Sequence, residues 1–242
     1  MDQFGLPERR IVSSDGTGIA YWISRPSPDM DLGVTIVLAN GIGVTRVIWQ
    51  DLVTALRDRY TLLFWDYRGT YQSEPPPDAS SLTILDNAHD LVAILDAEQL
   101  QRVVLIGWSM GVQVSLEAWL VAADRIVGMV LLNGTGGKTL DTALGVPGLM
   151  YWVPTLTRYL TDRHGERLNR YMSLVWRREL VRFVKAVGLA GPTVDTDMLG
   201  KVIEGYAAHD FRMYLTQLNN LGFHAPEHLD DIRAPVLIVV GG

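Results

Sequence analysis

Ser109 stands in the stretch Gly107-Trp108-Ser109-Met110-Gly111, between the apolar run Val103-Val104-Leu105-Ile106 and the breaker-free segment Val112 to Leu120. The first flank has the β-branched character of a buried parallel strand, and the second continues as a helix. A serine leaving a strand and entering a helix, with glycine two positions to either side, is the arrangement called a nucleophile elbow. Small neighbours let the chain turn tightly there and lift the hydroxyl above the sheet. The backbone N–H of Met110, at the start of the helix, then faces the place where a carbonyl oxygen would become an oxyanion. The chemistry this predicts is attack of the Ser109 hydroxyl on an acyl carbon. The alternative is a glycine-rich strand-to-helix turn with an incidental serine.

A second loop with chemical potential is Asn40-Gly41-Ile42-Gly43, at the end of the apolar run 34–39, where glycine lets backbone approach a ligand. Asp66 and Arg68, in Asp66-Tyr67-Arg68-Gly69, have the types of a catalytic pair but lie after another strand, where a structural turn network is expected. His89, His164, His209, His224 and His228 are the only imidazoles, and His209 and His224 are the ones a cap could bring towards Ser109. Asn133 ends the strand after the elbow helix. Arg158, Arg163, Arg167, Arg170, Arg177, Arg178 and Arg182 make residues 136–231 locally basic, read as a solvated face, as a mouth for anionic substrates or as a contact with a membrane surface. Met150, Tyr151, Trp152, Met172, Trp176, Met213 and Tyr214 read equally as an apolar underside suited to acyl chains or aromatic esters and as plain core. Nothing resembles a metal cluster, a phosphate loop or a dinucleotide fingerprint, so neither cofactor nor metal is expected.

The 242 residues suffice for one large α/β domain with an insertion. The net charge of −6 and the lack of a basic tract argue against nucleic acid as a partner. Absence of cysteine removes disulfides and thiolate chemistry. No signal-like N-terminus and no apolar run of membrane-spanning length is visible, so a cytoplasmic protein without a transmembrane segment is expected. Arginine-rich, lysine-poor usage hints at a bacterial source, and the oligomeric state is not legible.

The elements that must position these residues follow in order. Arg9 to Ser13 and Ile19 to Ser24 read as an antiparallel hairpin about a turn at 14–18. Strands are expected over 34–39, 61–65, 103–106 and 127–132, and helices over 48–57, 82–100 and 112–120. This alternation predicts a mostly parallel sheet with helices on both faces. From about Gly136 to Asp231 no strand pattern appears, and Pro235 to Val240 then resumes the buried-strand pattern. The expected organisation is an α/β core over 1–135, a helical cap over 136–231 and a return to the core at 232–242.

In this order the chain resembles α/β-hydrolase fold proteins with a helical cap. The resemblance implies Ser109 as nucleophile, with the N–H groups of Ile42 and Met110 as the oxyanion hole. It makes Asn40, Gly41 and Gly43 the supports of the oxyanion loop, and Gly107, Trp108 and Gly111 the elbow. Asn40 stands where the family usually has a loop-bracing histidine, and Val112 where it commonly has glycine. Serine at the elbow disfavours the family's aspartate-dependent chemistries and leaves acyl transfer to water. The resemblance also calls for an acid after strand seven and a histidine after strand eight. Neither is found in this chain, so a C-terminally incomplete piece with little activity is expected, although a naturally short protein is the other possibility. The implied function is hydrolysis of carboxylic esters with an apolar acyl or aromatic group, through an acyl-enzyme. The alternatives are a C–C bond hydrolase, lactonase or haloperoxidase-like relative, or a non-catalytic ligand-binding or signalling protein on the same fold.

Overall fold

The computed structural model describes residues 4–137, 155–157, 159, 163, 200 and 210–240. Strands β1 (Arg9–Val12) and β2 (Gly18–Ser24) form the expected hairpin, closed by Ser13 and Thr17. Then come β3 (Thr35–Ala39), α1 (Gln50–Leu56), β4 (Thr61–Trp65), α2 (Ile84–Ala97), β5 (Val103–Trp108), α3 (Met110–Ala122) and β6 (Ile126–Leu132). Beyond the undescribed stretch lie α4 (Phe211–Phe223) and β7 (Val236–Val239). The sheet order is β1-β2-β4-β3-β5-β6-β7; β2 pairs antiparallel with β1 and β4, and β4 through β7 run parallel.

The sequence explains most element ends. Thr83 and Asp86 form a reciprocal capping box that starts α2 two residues after the expected Leu82. Gln99, in the left-handed region at φ 56°, ends it before Leu100. The helix expected over 48–57 divides into a 3₁₀ turn, Arg46–Trp49, and the shorter α1. Helix α3 is buried on nearly every side, as an apolar helix in the middle of a domain must be. One apolar cluster joins α2 and α3 to one face of the sheet through Leu91, Leu95, Val114 and Leu116. Another joins Trp49 and Val53 to the opposite face through Trp22, Phe64 and Ile106.

Strand β7 resumes the parallel sheet beside β6, where the strand pattern over 235–240 places it. It is the last strand of this sheet, and its Leu237 and Ile238 are 58% and 67% exposed. The helical cap expected over 136–231 lies largely outside the described residues, which reach it only at its two ends and at isolated positions. Among the described residues, no helix is long and apolar enough to cross a membrane.

The loop after β4, residues 66–74, ties the layers together. The Arg68 guanidinium is fully buried and bonds both carboxylate oxygens of Asp90 on α2, at 2.8 and 2.6 Å. It also reaches Asp15 in the hairpin turn at 2.8 Å and the Ser81 carbonyl at 3.0 Å. Ser73 accepts from Ala20 N–H, the Glu74 N–H donates to Gly18, and Gln217 of α4 donates to the Arg68 carbonyl. Replacing Arg68 by Met leaves the fully buried Asp90 carboxylate without its cation. Denaturant unfolding at neutral pH is expected to show a loss of about 3–5 kcal/mol for Arg68→Met, much of it recovered when Asp90→Leu is added.

Candidate active site

The chain passes from β3 to β4 on one side and then to β5 on the other side of β3. The loops leaving β3 and β5 therefore border the crevice at the switch point, where open α/β sheets bind ligands. Those loops carry Asn40 to Gly43 and Ser109.

Ser109 has φ 53° and ψ −115°, a conformation that side chains with a Cβ rarely adopt. It occupies the N-cap position of α3, yet its side chain makes no cap hydrogen bond. The usual fate of an N-cap serine is to accept from the helix's first N–H groups; here the backbone turns the hydroxyl away from that duty. Its own N–H donates to Leu132 of β6 at 3.0 Å, and its carbonyl accepts from Val112 N–H at 3.0 Å. The flanking glycines are required by contact. A Cβ on Gly107 would lie 2.2 Å from the Gly111 carbonyl oxygen, and one on Gly111 would lie 2.1 Å from that of Ala39.

The β3 loop packs directly against this turn. A Cβ on Gly41 would lie 2.7 Å from the Trp108 ring and 3.4 Å from Cβ of Ser109. Gly41 to Val44 is a turn closed by Val44 N–H to the Gly41 carbonyl, with Gly43 at φ 63° as a type II turn requires. Asn40 anchors its entry: Oδ1 accepts from the Trp49 indole at 2.6 Å and the carbonyl accepts from the Tyr67 hydroxyl at 2.8 Å. Burial holds that tyrosine well above its ordinary pKa, so it remains a donor. The Tyr71 hydroxyl donates to the Gly43 carbonyl at 2.7 Å. Sequence reasoning flagged the loop and the turn after β4 but not these tethers. Trp49 read as a core residue, which it is, and nothing in the spacing of Tyr67 or Tyr71 marks where a hydroxyl points.

Asp66 and Arg68 do not pair. Asp66 faces Arg46 at 3.4 Å and accepts from Gln72 N–H at 3.1 Å, while Arg68 serves Asp90 and Asp15. Arg46 also stacks over the Trp22 ring, 3.4 Å from its centroid. Burial outweighs Arg46 and lifts the Asp66 carboxyl to about 6.

His224 Nε2 lies 2.8 Å from a Glu117 carboxylate oxygen, and burial lowers its pKa against the opposing pull of that carboxylate. Glu117 lies eight residues along α3 from Ser109, about 12 Å of helix rise, so His224 is engaged away from the elbow. His89 is exposed on α2 and His228 is exposed beside Asp231. Asn133, at φ 45°, donates its N–H to Val239 of β7. An apolar cavity of about 450 Å³ lies between α3, β6 and β7, lined by Val112, Leu116, Leu131, Ile232 and Val239, and the Asn40–Gly43 loop takes no part in its walls. His164, His209, Met150, Tyr151, Trp152, Met172, Trp176 and all the basic cap arginines except Arg163 lie outside the described residues. Among the described residues no cluster has the ligands to hold a metal ion.

A family model described as the alpha/beta hydrolase family matches residues 36–242. The chain is 34% identical over 102 residues to a protein from Variovorax paradoxus (strain S110) named "Putative carbamate hydrolase RutD"; the match covers 42% of this chain and 38% of that protein. The chain thus matches well under half the length of that relative. Among solved structures, a hydrolase from Pseudomonas aeruginosa PA01 is similar with TM-score 0.71 and 19% identity, covering 99% of this chain and 81% of the other. The enol-lactonase from Burkholderia xenovorans LB400 is similar with TM-score 0.69 and 20% identity, covering 96% and 81% respectively. At such identities the structural likeness speaks to the fold alone.

Two outcomes follow from this geometry. Gly111→Ala forces a Cβ into the Ala39 carbonyl, and circular dichroism with urea unfolding is expected to show an unfolded protein or a loss of at least about 3 kcal/mol. Asp66 titrates at a higher pH when folded than the 3.8 of an ordinary aspartate, so the unfolded chain releases this proton first as pH rises. Its contribution to stability is therefore present in acid and lost between about pH 4 and pH 6, by an amount on the order of 3 kcal/mol. Unfolding curves at pH 4 and pH 7 are expected to show that decline in the parent and its absence in Asp66→Asn.

Proposed function

The chain belongs to the α/β hydrolase family, and from that we propose that it is a serine hydrolase acting on carboxylic esters with an apolar acyl or aromatic group. Ser109 is the nucleophile in this reading. Its oxygen attacks the ester carbonyl carbon, the carbonyl electrons move onto oxygen, and the resulting oxyanion is held by the N–H groups of Ile42 and Met110. Collapse expels the alcohol and leaves an acyl-enzyme on Ser109, which water then hydrolyses. Met110 is the first residue of α3, and the first N–H groups of a helix have no intrahelical partner, so its donor suits a developing negative charge. The proton acceptor and its orienting acid belong, in this proposal, to residues outside the described ones. Carbamates and enol lactones, named for the relatives above, would present a similar carbonyl to the same two donors. Residues 136–231, between β6 and β7, are proposed as the cap that selects the acyl group.

The observation that carries the reading is the strained φ of Ser109, its hydroxyl withheld from capping α3 and its Cβ packed against Gly41. Strain of this kind persists where surrounding structure over-determines it, and it concentrates at functional sites.

A fluorophosphonate probe followed by peptide mass spectrometry tests the assignment. The parent chain, in which no histidine base for Ser109 is found among the described residues, is expected to acquire the adduct on Ser109 slowly over prolonged exposure, and Ser109→Ala is expected to acquire none while keeping the parent's unfolding curve. Equal labelling of the alanine variant, or an adduct on another residue, removes Ser109 as nucleophile.

A further inference from the structure

Tyr71 combines a costly backbone with a contact at the proposed site. Its φ of 46° lies in the left-handed region, where glycine is at ease and a bulky aromatic is a genuine outlier. A loop free to choose would place glycine or asparagine there. The ring instead spans from the loop after β4 to the loop after β3, and its hydroxyl meets the Gly43 carbonyl at 2.7 Å. Gly43 is the residue whose left-handed φ makes the Gly41–Val44 turn, and Ile42 is the other central residue of that turn. The direction of the Ile42 N–H depends on the turn keeping its shape. Burial first, and then the nearby carboxylate of Asp66, hold the phenol well above its ordinary pKa, so it donates throughout the neutral and alkaline range. The base of the side chain is equally fixed. Around Tyr71, Thr70 N–H donates to Tyr67, Ser73 N–H donates to Thr70, and Gly69 N–H donates to Glu74, so the loop is cross-braced on both sides of the outlier.

We propose that Tyr71 is a positioning residue for catalysis: by tying the Gly43 carbonyl to the rigid loop after β4, it holds the Ile42 N–H where the oxyanion forms. The inference rests on the proposed function for the identity of the oxyanion donor, but the tether itself is a separate claim. Trp49 and Tyr67 fix the loop's entrance through Asn40, and Tyr71 fixes its exit. A donor held at one end only can swing, and displacement of about 1 Å at a reacting centre costs on the order of a hundredfold in rate. The tether acts on the charge-developing state rather than on ground-state binding, so its loss falls on the maximal rate and spares half-saturation.

The test uses the full chain with Tyr71→Phe and Tyr71→Gly. The first deletes the hydroxyl and keeps the strained φ; the second deletes both. Three quantities are read: the concentration dependence of fluorophosphonate labelling at Ser109, hydrogen exchange of the peptide spanning residues 40–46, and the melting temperature. Both variants are expected to label about 10- to 100-fold more slowly at saturation, with half-saturating probe concentration within threefold of the parent. Exchange over 40–46 is expected to quicken at least about tenfold in both. Tyr71→Gly is expected to melt below the parent, because relief of the backbone only partly offsets the lost ring burial and hydrogen bond. Tyr71→Phe keeps the ring and is expected to melt close to the parent while still labelling slowly, which separates the tether from mere structural support. Labelling within twofold of the parent in Tyr71→Phe, or unchanged exchange over 40–46, overturns the proposal. If the probe modifies a residue other than Ser109, the nucleophile assignment fails instead, and the exchange result alone decides whether Tyr71 holds the loop.

Discussion

The packing of the first turn of α3 against the ends of β3 and β5 is the constraint on which the rest depends. The Ala39 carbonyl oxygen and the Gly111 backbone approach so closely that even one methyl group has no room, and Gly107 meets Gly111 in the same way. Only this closeness allows strand β5 to end and α3 to begin within a single residue, Ser109. A wider turn would seat the serine as an ordinary N-cap, with its hydroxyl accepting from the helix. The sheet order makes the approach possible, because β3 lies beside β5 and their carboxyl ends open side by side. Burial of α3 on almost every side then prevents the helix from sliding outward to relieve the crowding.

The loop after β4 turns this local crowding into a fixed site. Two of its arginine–carboxylate contacts are of opposite character. Arg68 and Asp90 are bidentate and fully buried, and the same guanidinium reaches Asp15, so the hairpin, α2 and the loop are locked together. Asp66 and Arg46 are farther apart, and burial of Asp66 exceeds what Arg46 returns. The first contact specifies the fold. The second leaves a carboxyl that changes charge in mildly acidic conditions, against the 3₁₀ turn that immediately follows the Asn40–Gly43 loop. Tyr67 and Tyr71, on the same short loop, carry this rigidity across to that turn.

Much of this was legible from residue order. The hairpin, the parallel strands and the helix after Ser109 follow from residue pattern, most plainly for β2, β3 and β4, which are buried along their whole length. The elbow was legible because its glycines have no substitute. Helix ends were less so: Leu82 and Leu100 continue the apolar stripe of α2, but Thr83 and Gln99 stop the helix through capping and a left-handed residue. At the site, residue types marked the loop and the serine, whereas the tethers from Trp49, Tyr67 and Tyr71 depend on tertiary direction. His224 illustrates the same limit: its place in the chain made it available to the elbow, and the fold gave it to Glu117.

The distribution of backbone strain supports reading the carboxyl rim as the working face. Among the described non-glycine residues with positive φ, Gln99 ends α2 and His228 opens a 3₁₀ turn, both ordinary terminus positions. The others are Tyr71, Ser109 and Asn133, which follow β4, β5 and β6 at the same end of the sheet. Each left-handed residue of this kind costs about 1–2 kcal/mol. Three along one rim persist only because each is held from outside its own loop: Tyr71 by Gly43, Ser109 through its N–H to Leu132, and Asn133 through its N–H to Val239. The bonds run between neighbouring strand ends, so the strain at each position is borne by the next strand rather than by the loop itself. A sheet selected for stability alone would have relaxed these turns with glycine. Its retention of side chains there, with Ser109 at the centre, is the arrangement expected of a rim that holds a reacting group in place.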